Sequence, residues 1–239
     1  MAGISVTTEP TTEPVSLQEV KQYLRVEDNT DERVIRPFIK AARMFAEQHT
    51  GRALISQTFT MFVDAYDDMS DPLWEGTKTG PYLNYYKNYI QLPNPPVTSV
   101  TSVSTFNDED TETTMAASRY YVDNVREPAR VVLRQGETFP TALRVANAIK
   151  VVYVAGYANA HSVPEPIRMA LLQHISFLYE QRGDNMDYLN TRSIPPMIKA
   201  LFQPYVIIGG MGCNLQPGQL TRVAGNQYHG LLWQSFTQT

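Results

Sequence analysis

The period of the hydrophobic pattern changes twice along this chain of 239 residues, and no other sequence feature constrains the fold as strongly. Up to Gly51, apolar side chains recur at helical spacing. Between Ile55 and Gly156 they alternate with polar ones, and the helical spacing returns at Ser162. The first spacing predicts amphipathic helices and the second predicts half-buried strands. The sequence therefore predicts a β-rich module inserted between two helical segments.

Two helices are predicted before the insertion. Ser16 and Glu19 stand three residues apart at the start of an apolar stripe, which is the pattern of a capping box. The second helix is expected to begin at residues 29–30 and to end at Gly51, a residue type suited to the left-handed conformation after a helix. Pro37 lies within it and should kink the helix or delay its start, because proline removes one backbone hydrogen bond.

Two more helices are predicted after the insertion. Ser162 and Glu165 form a second candidate capping box, and Gly183 is expected to close the helix that follows. His174 lies on the apolar face of this helix and is expected to be a hydrogen-bonded core residue. A short fourth helix should follow Ser193. Each helical segment has one apolar face that needs cover, so the two segments should pack together.

These patterns predict an α+β fold: a small α-helical bundle with an inserted β-rich module and an extended C-terminal tail. The bundle comprises residues 16–54 and 162–205, and the insertion comprises residues 55–161. Residues 1–15 are rich in Thr, Pro and Glu and are predicted to form a flexible N-terminal arm. Residues 206–239 form the predicted tail.

The tail mixes Gln, Gly and Thr with large apolar side chains, a composition that a freely disordered segment rarely has. We expect it to pack on its own domain or to become ordered against a partner or an adjacent subunit, and we favour the partner. The residues predicted to make this contact are Leu220, Tyr228, Leu231, Leu232, Trp233 and Phe236.

A second aromatic segment lies within the insertion, between Trp74 and Tyr89. Tyr and Trp are enriched at protein interfaces, so this segment is expected to pack on its own sheet or on a neighbouring subunit. Lys78 and Lys87 are interleaved with the aromatic residues, and stacking on sugars or nucleic-acid bases is the alternative. The predicted contact surface consists of Trp74, Tyr82, Tyr85 and Tyr86.

The sequence offers little for catalysis. It contains no phosphate-binding loop, no zinc-protease motif and no nucleophile elbow. Its four histidines are not paired at metal-ligand spacing, and a single cysteine, Cys213, excludes an internal disulfide and a cysteine-built zinc site. The acidic residues 108–112 lack the glycine and the glutamate of a calcium loop. We therefore predict no catalytic residue, no metal site, no cofactor and no enzymatic activity.

The charge pattern also limits the partners. A net charge of −4 argues against tight nucleic-acid binding, which depends on neutralising phosphates. Acidic residues are concentrated in the first 32 positions, and none follows Asp187. No apolar run approaches the roughly 18 residues of a membrane-spanning helix, and the N-terminus lacks the pattern of a signal peptide. We predict no membrane association.

Several short motifs occur in a characteristic order along the chain. They are residues 17–26 (LQEVKQYLRV), 50–54 (TGRAL), 92–97 (LPNPPV), 154–157 (VAGY) and 163–168 (VPEPIR). Taken together over residues 16–205, they resemble the head–tail connector proteins of tailed bacteriophages. The enlarged segment 67–89 and the tail from residue 206 have no counterpart in this resemblance.

The resemblance implies a structural head–tail connector, or adaptor, located in the virion neck after assembly in the host cytoplasm. Such a protein forms a ring, commonly of twelve subunits, that docks under the portal protein and contacts tail or neck proteins. DNA would pass through the channel of the ring without specific binding. One alternative is another virion component that uses the aromatic insertion to bind a fibre or a carbohydrate. A second alternative is an enzyme whose site is assembled from distant residues.

Overall fold

The computed structural model describes residues 3–64, 89–140, 142–181 and 194–207. Its four helices are α1 (Leu17–Leu24), α2 (Glu32–Thr50), α3 (Glu165–Glu180) and α4 (Pro196–Phe202). Its strands are β1 (Gly3–Thr8), β2 (Gln57–Val63), β3 (Tyr89–Leu92), β4 (Val97–Phe106), β5 (Glu112–Thr114), β6 (Tyr120–Asp123), β7 (Ala129–Leu133) and β8 (Ile149–Ala155). The predicted α+β class is confirmed.

The strands form two antiparallel sheets. One has five strands in the order β1-β2-β8-β4-β5, and the other has three in the order β3-β7-β6. Phe59 pairs with Tyr153 across β2 and β8, and their rings stack with centroids 5.5 Å apart. Leu92 and Val131 of the smaller sheet belong to the same buried cluster as these two rings. The two sheets therefore share one apolar core.

The helices form a second core from residues at both ends of the sequence. Val20 and Ile35, which precede the insertion, are fully buried with Leu171 and Ile198, which follow it. On α2, the buried residues Ile35, Ile39, Ala42 and Ala46 recur at the spacing that places side chains on one face of the helix. The helical segments therefore pack together because each presents an apolar face, and burying both faces removes them from water.

Two predicted helix ends are confirmed. Ser16 and Glu19 make the capping box: the Glu19 amide donates to Ser16 Oγ over 3.2 Å, and the Ser16 amide donates to Glu19 Oε2 over 3.1 Å. Gly51 follows α2 with a φ of 68°, in the left-handed region that glycine adopts without steric cost.

One predicted helix start is shifted and another was wrong. Helix α2 begins at Glu32, two residues after the expected position, and continues through Pro37; the Asp31 carbonyl accepts from the amides of Val34 and Ile35 and opens the helix. Ser162 does not cap α3. Its hydroxyl donates to Asn159 Oδ1 over 2.9 Å within a 3-10 turn, and this local hydrogen bond competes with the capping role.

The N-terminal segment is a structured edge strand where a flexible arm was predicted. Strand β1 pairs with β2 from Gly3 to Thr8, and the hydroxyls of Thr7 and Thr60 are 2.6 Å apart. Val15 is buried in the helical core. Composition suggested an arm because Thr, Pro and Glu dominate it, but β2 offers an unpaired edge that an uncharged, β-branched segment can satisfy.

Candidate assembly interfaces

A buried charged network joins the N-terminal segment, α2 and β2. Arg43 is 4% exposed; its Nε donates to Glu13 Oε2 over 2.8 Å and its Nη1 donates to Glu47 Oε2 over 2.9 Å. Glu47 Oε1 accepts from the Leu54 amide at 3.0 Å and from Gln57 Nε2 at 2.9 Å. Burial raises the pKa of Glu47, although these donors and Arg43 act in the opposite direction. The network fixes the helices against the first central strand.

A second junction is formed by Arg52 of the TGRAL motif. Its Nε donates to the Tyr205 carbonyl over 2.7 Å, and its Nη2 lies 2.6 Å from Glu127 Oε2. The Ala53 amide donates to the Pro95 carbonyl over 3.1 Å. The motif therefore connects the end of α2 to the last helical residues and to the smaller sheet.

The β6–β7 connection, residues 124–128, projects an apolar side chain into solvent; we call it the hairpin tip. Val125 is 94% exposed, the most exposed large hydrophobic side chain in the described part of the chain. The tip is held at its base by an ion pair between Arg130 and Asp123 at 2.9 Å and by the Arg52–Glu127 pair. A single exposed valine is ordinary on a protein surface, but one held on an anchored hairpin is preorganised for contact, so the tip is a candidate contact surface.

An open cleft of about 650 Å³ lies at the other end of α2, between α1 and the loop that precedes α2. We call it the α1–α2 cleft. Leu17 and Val26 supply its apolar surface. Lys21 crosses it, and its Nζ donates to Asn29 Oδ1 over 2.6 Å and to Glu32 Oε1 over 3.2 Å. Residues of the LQEVKQYLRV motif therefore line a surface recess, and one of them, Leu17, also packs against the helical core.

Two histidines lie in an aromatic cluster between α2, α3 and α4. Phe45 contacts the ring of His49 at 5.7 Å and that of His174 at 4.9 Å, and Phe202 lies 5.9 Å from His49. Burial lowers the pKa of both histidines, and the nearby charge of Lys199 contributes at His49. His174 is buried as predicted, but its Nδ1 has no hydrogen-bond partner among the described residues, contrary to prediction.

Within the described ranges, no group of three or more His, Cys, Asp or Glu side chains is placed to bind a metal ion. Acids of the 108–112 loop instead contact cations: Asp110 pairs with Arg144 at 3.1 Å, and Glu112 pairs with Lys150 at 3.2 Å. No helix in the described part of the chain is long and apolar enough to cross a membrane.

The contact residues predicted from sequence lie outside the described residues, as do Cys213, Gly183 and Ser193. They are Trp74, Tyr82, Tyr85 and Tyr86 of the insertion, and Leu220, Tyr228, Leu231, Leu232, Trp233 and Phe236 of the tail. The hairpin tip and the α1–α2 cleft were not predicted. Val125 stands between polar residues near a turn, which is a weak signal, and the cleft has no signature in the sequence.

Comparison with known families matches the sequence model of the head completion protein to residues 13–208, which include both cores and both junctions. The chain belongs to the head completion protein family. This membership confirms the resemblance to phage head–tail connector proteins and supports a connector role. Comparison of the chain with curated protein sequences gives no significant match.

Solved structures that share the fold of this chain include three from gene transfer agent (GTA) particles. One is from the neck of an empty GTA particle computed with C6 symmetry, with a TM-score of 0.65 and 18% identity over 87% of this chain and 98% of that one. A second, from the virion of a native GTA particle, has a TM-score of 0.63, 18% identity and the same two coverages. A third, from the neck of a native GTA particle computed with C12 symmetry, has a TM-score of 0.58 and 20% identity over 86% and 98%.

Proposed function

We propose that this protein is a head–tail connector, or adaptor, in the neck of a phage-like virion. It forms a ring, with twelve subunits as the expected number, that docks under the portal protein and joins the capsid to tail or neck proteins. The observation that carries the proposal is the match to the head completion protein family over residues 13–208. The fold shared with chains of GTA necks supports it. The role is structural and needs no catalytic step.

The ring would surround the channel through which DNA leaves the capsid. A net charge of −4 suits this role, because a strongly basic lumen would bind the phosphate backbone and retard the DNA. The described cations support it further, since several are already paired with carboxylates, among them Arg43, Arg52 and Arg168. DNA would therefore pass without specific binding.

We further propose that the tail docks on the portal protein or on an adjacent subunit through Leu220, Tyr228, Leu231, Leu232, Trp233 and Phe236. A chain that becomes ordered on binding gains affinity from the apolar surface it buries, less the cost of ordering. The tail lacks acids and is rich in aromatic and aliphatic side chains. Ile207, the second residue of the tail, donates its amide to the Thr50 carbonyl over 2.9 Å, so the start of the tail is fixed at the end of α2.

The ring is tested by measuring the mass of the protein by light scattering, alone and mixed with the portal protein, followed by electron microscopy of the complex. We expect a ring, either in isolation or formed on the portal. A protein that stays monomeric and ignores the portal would overturn the connector assignment and would favour a fibre- or carbohydrate-binding component.

The tail is tested by deleting residues 208–239, which keeps Ile207 in place. We expect portal binding to be lost while the far-ultraviolet circular dichroism and the melting temperature are retained. Trp233→Ala with Phe236→Ala should weaken binding, whereas the matched pair Gln234→Ala with Gln238→Ala should not. Undiminished portal binding by the deletion variant would contradict the docking role of the tail.

A further inference from the structure

The hairpin tip carries two exposed side chains, Val125 and Arg126. Val125 is 94% exposed. Arg126 is exposed beside it, and no ion-pair partner for it occurs within the described ranges. The tip itself is anchored by two ion pairs at its base, so its conformation is largely set before any contact forms. Preorganisation of this kind lowers the entropic cost of binding.

The α1–α2 cleft can receive both side chains. Leu17 and Val26 supply apolar surface, and the charged lining consists of two carboxylates, Glu27 and Glu32, and two cations, Lys21 and Arg25. Lys21 already pairs with Glu32 at 3.2 Å. Glu27 is exposed and has no ion-pair partner in the part of the chain that the structure describes, so it is the carboxylate of the lining that is open to a cation.

The two surfaces lie at opposite ends of α2. Glu32, at its first turn, lines the cleft, and Arg52, just after its last turn, holds Glu127 of the hairpin tip. A helix of nineteen residues is roughly 28 Å long at about 1.5 Å per residue. A chain therefore cannot place its own hairpin tip in its own cleft, and a hairpin tip that seats there must come from another copy.

We propose that the hairpin tip of one copy of this chain seats in the α1–α2 cleft of the next copy. Val125 packs on Leu17 and Val26, and Arg126 pairs with Glu27. This contact joins two different surfaces and is heterologous, and heterologous contacts that close generate rings. The inference rests on the proposed ring and identifies the surfaces that hold neighbouring subunits together.

The contact is tested by cysteine cross-linking in the full chain carrying Cys213→Ser. Val125→Cys is combined with Gln22→Cys, an exposed position that lines the cleft. After assembly on the portal protein, a short bis-maleimide should produce a ladder of covalent oligomers. The control combines Gln22→Cys with Val145→Cys, which is 81% exposed but lies at the end of the five-stranded sheet away from the helices. The control and both single-cysteine variants should give no ladder.

A charge exchange provides a second readout that depends on neither cysteine. Arg126→Glu and Glu27→Arg each place like charges together and should raise the concentration needed for assembly by about tenfold or more. The double variant restores a pair of opposite charges. The concentration that it needs for assembly should therefore lie within roughly threefold of that of the unmodified protein. Both side chains are exposed, so melting temperatures should stay unchanged.

The failures of the two proposals are distinguishable. If the unmodified protein forms rings on the portal but Val125→Cys and Gln22→Cys give no more product than the control, the hairpin-to-cleft contact is overturned and the connector role stands. The contact is also overturned, and the connector role again stands, if the double variant with Arg126→Glu and Glu27→Arg assembles no better than the single variants. If no ring forms at all, both proposals are overturned.

Discussion

Gly156 shows how one residue of a short motif can be required by geometry. Its φ is 118°, a conformation that side-chain-bearing residues rarely adopt, and a Cβ built on it would lie 2.2 Å from the Ile55 carbonyl oxygen. Its amide donates to the Pro96 carbonyl over 2.8 Å. The end of β8 thus passes against the start of β2 and of β4 at a point where only glycine fits.

We expect Gly156→Ala to destabilise the protein by about 3 kcal/mol or more, because backbone strain and steric overlap add. Gly136→Ala is the matched control. Its φ is 85°, but nothing lies within 4 Å of the added Cβ, so it should cost only about 1–2 kcal/mol. Urea unfolding of the two variants measures the difference, and equal losses would show that the contact with Ile55 is unimportant.

At the scale of elements, α4 depends on its neighbours for its stability. It has seven residues, and an isolated helix of that length is not stable in water. Ile198 and Phe202 are buried, and Phe202 contacts Phe45 and His49 in the aromatic cluster. Packing against α2 and α3 therefore supplies the stability that local propensity does not.

The buried histidines of that cluster predict a pH dependence. Burial lowers the pKa of His174 in the folded state, so the unfolded state binds more protons once the pH falls below the ordinary histidine value of about 6.5. The free energy of unfolding should therefore decrease between pH 7 and pH 5, by up to roughly 1.4 kcal/mol per pH unit for each histidine kept neutral.

The contribution of His174 is measured by comparing unfolding free energies across this pH range in matched variants. His174→Leu should have a shallower pH dependence than the unmodified protein. His161→Leu, at an exposed position, should keep the original slope. Effects of carboxylates are common to all three proteins and cancel in the comparison. An unchanged slope in His174→Leu would contradict the assignment.

At the scale of the whole molecule, a few buried polar contacts join the helical core to the core of the two sheets. Breaking one of them should lower the free energy of unfolding substantially. Arg43 is buried between Glu13 and Glu47, and Glu47 reaches Leu54 and Gln57 at the entry to the β-rich module. Removing one partner of a buried ion pair leaves a charge without compensation. The orientation of the sheets on the helices therefore depends on a network that spans distant parts of the sequence.

Arg43→Met should destabilise the protein by about 3–5 kcal/mol, since it leaves two carboxylates facing each other. Arg36→Met on the same helix is the control: the Arg36 side chain is 67% exposed and lies 3.6 Å from Glu32, so its loss should cost less than about 0.5 kcal/mol. Denaturant unfolding measures both. If both variants lost a similarly small part of the free energy of unfolding, the junction would not depend on Arg43.

Much of this protein was predictable because the relevant physics is local. The change of hydrophobic period located the four helices and six of the described strands, all but β1 and β5. The Ser16–Glu19 pair located a helix start, and Gly51 located a helix end. These features depend on neighbours within about one or two turns of the chain, where spacing and side-chain type determine which conformation is favourable. The order of motifs along residues 16–205 identified the family.

Other features were decided only by the tertiary structure, because they depend on which partners distant residues provide. Residues 3–8 became a strand because β2 offered an unpaired edge, and Ser162 left its predicted role because Asn159 competed for its hydroxyl. The hairpin tip and the α1–α2 cleft are separated by the length of α2, a relation that no spacing in the sequence encodes. The sequence determined the elements and the family, and long-range packing determined the surfaces at which copies can meet.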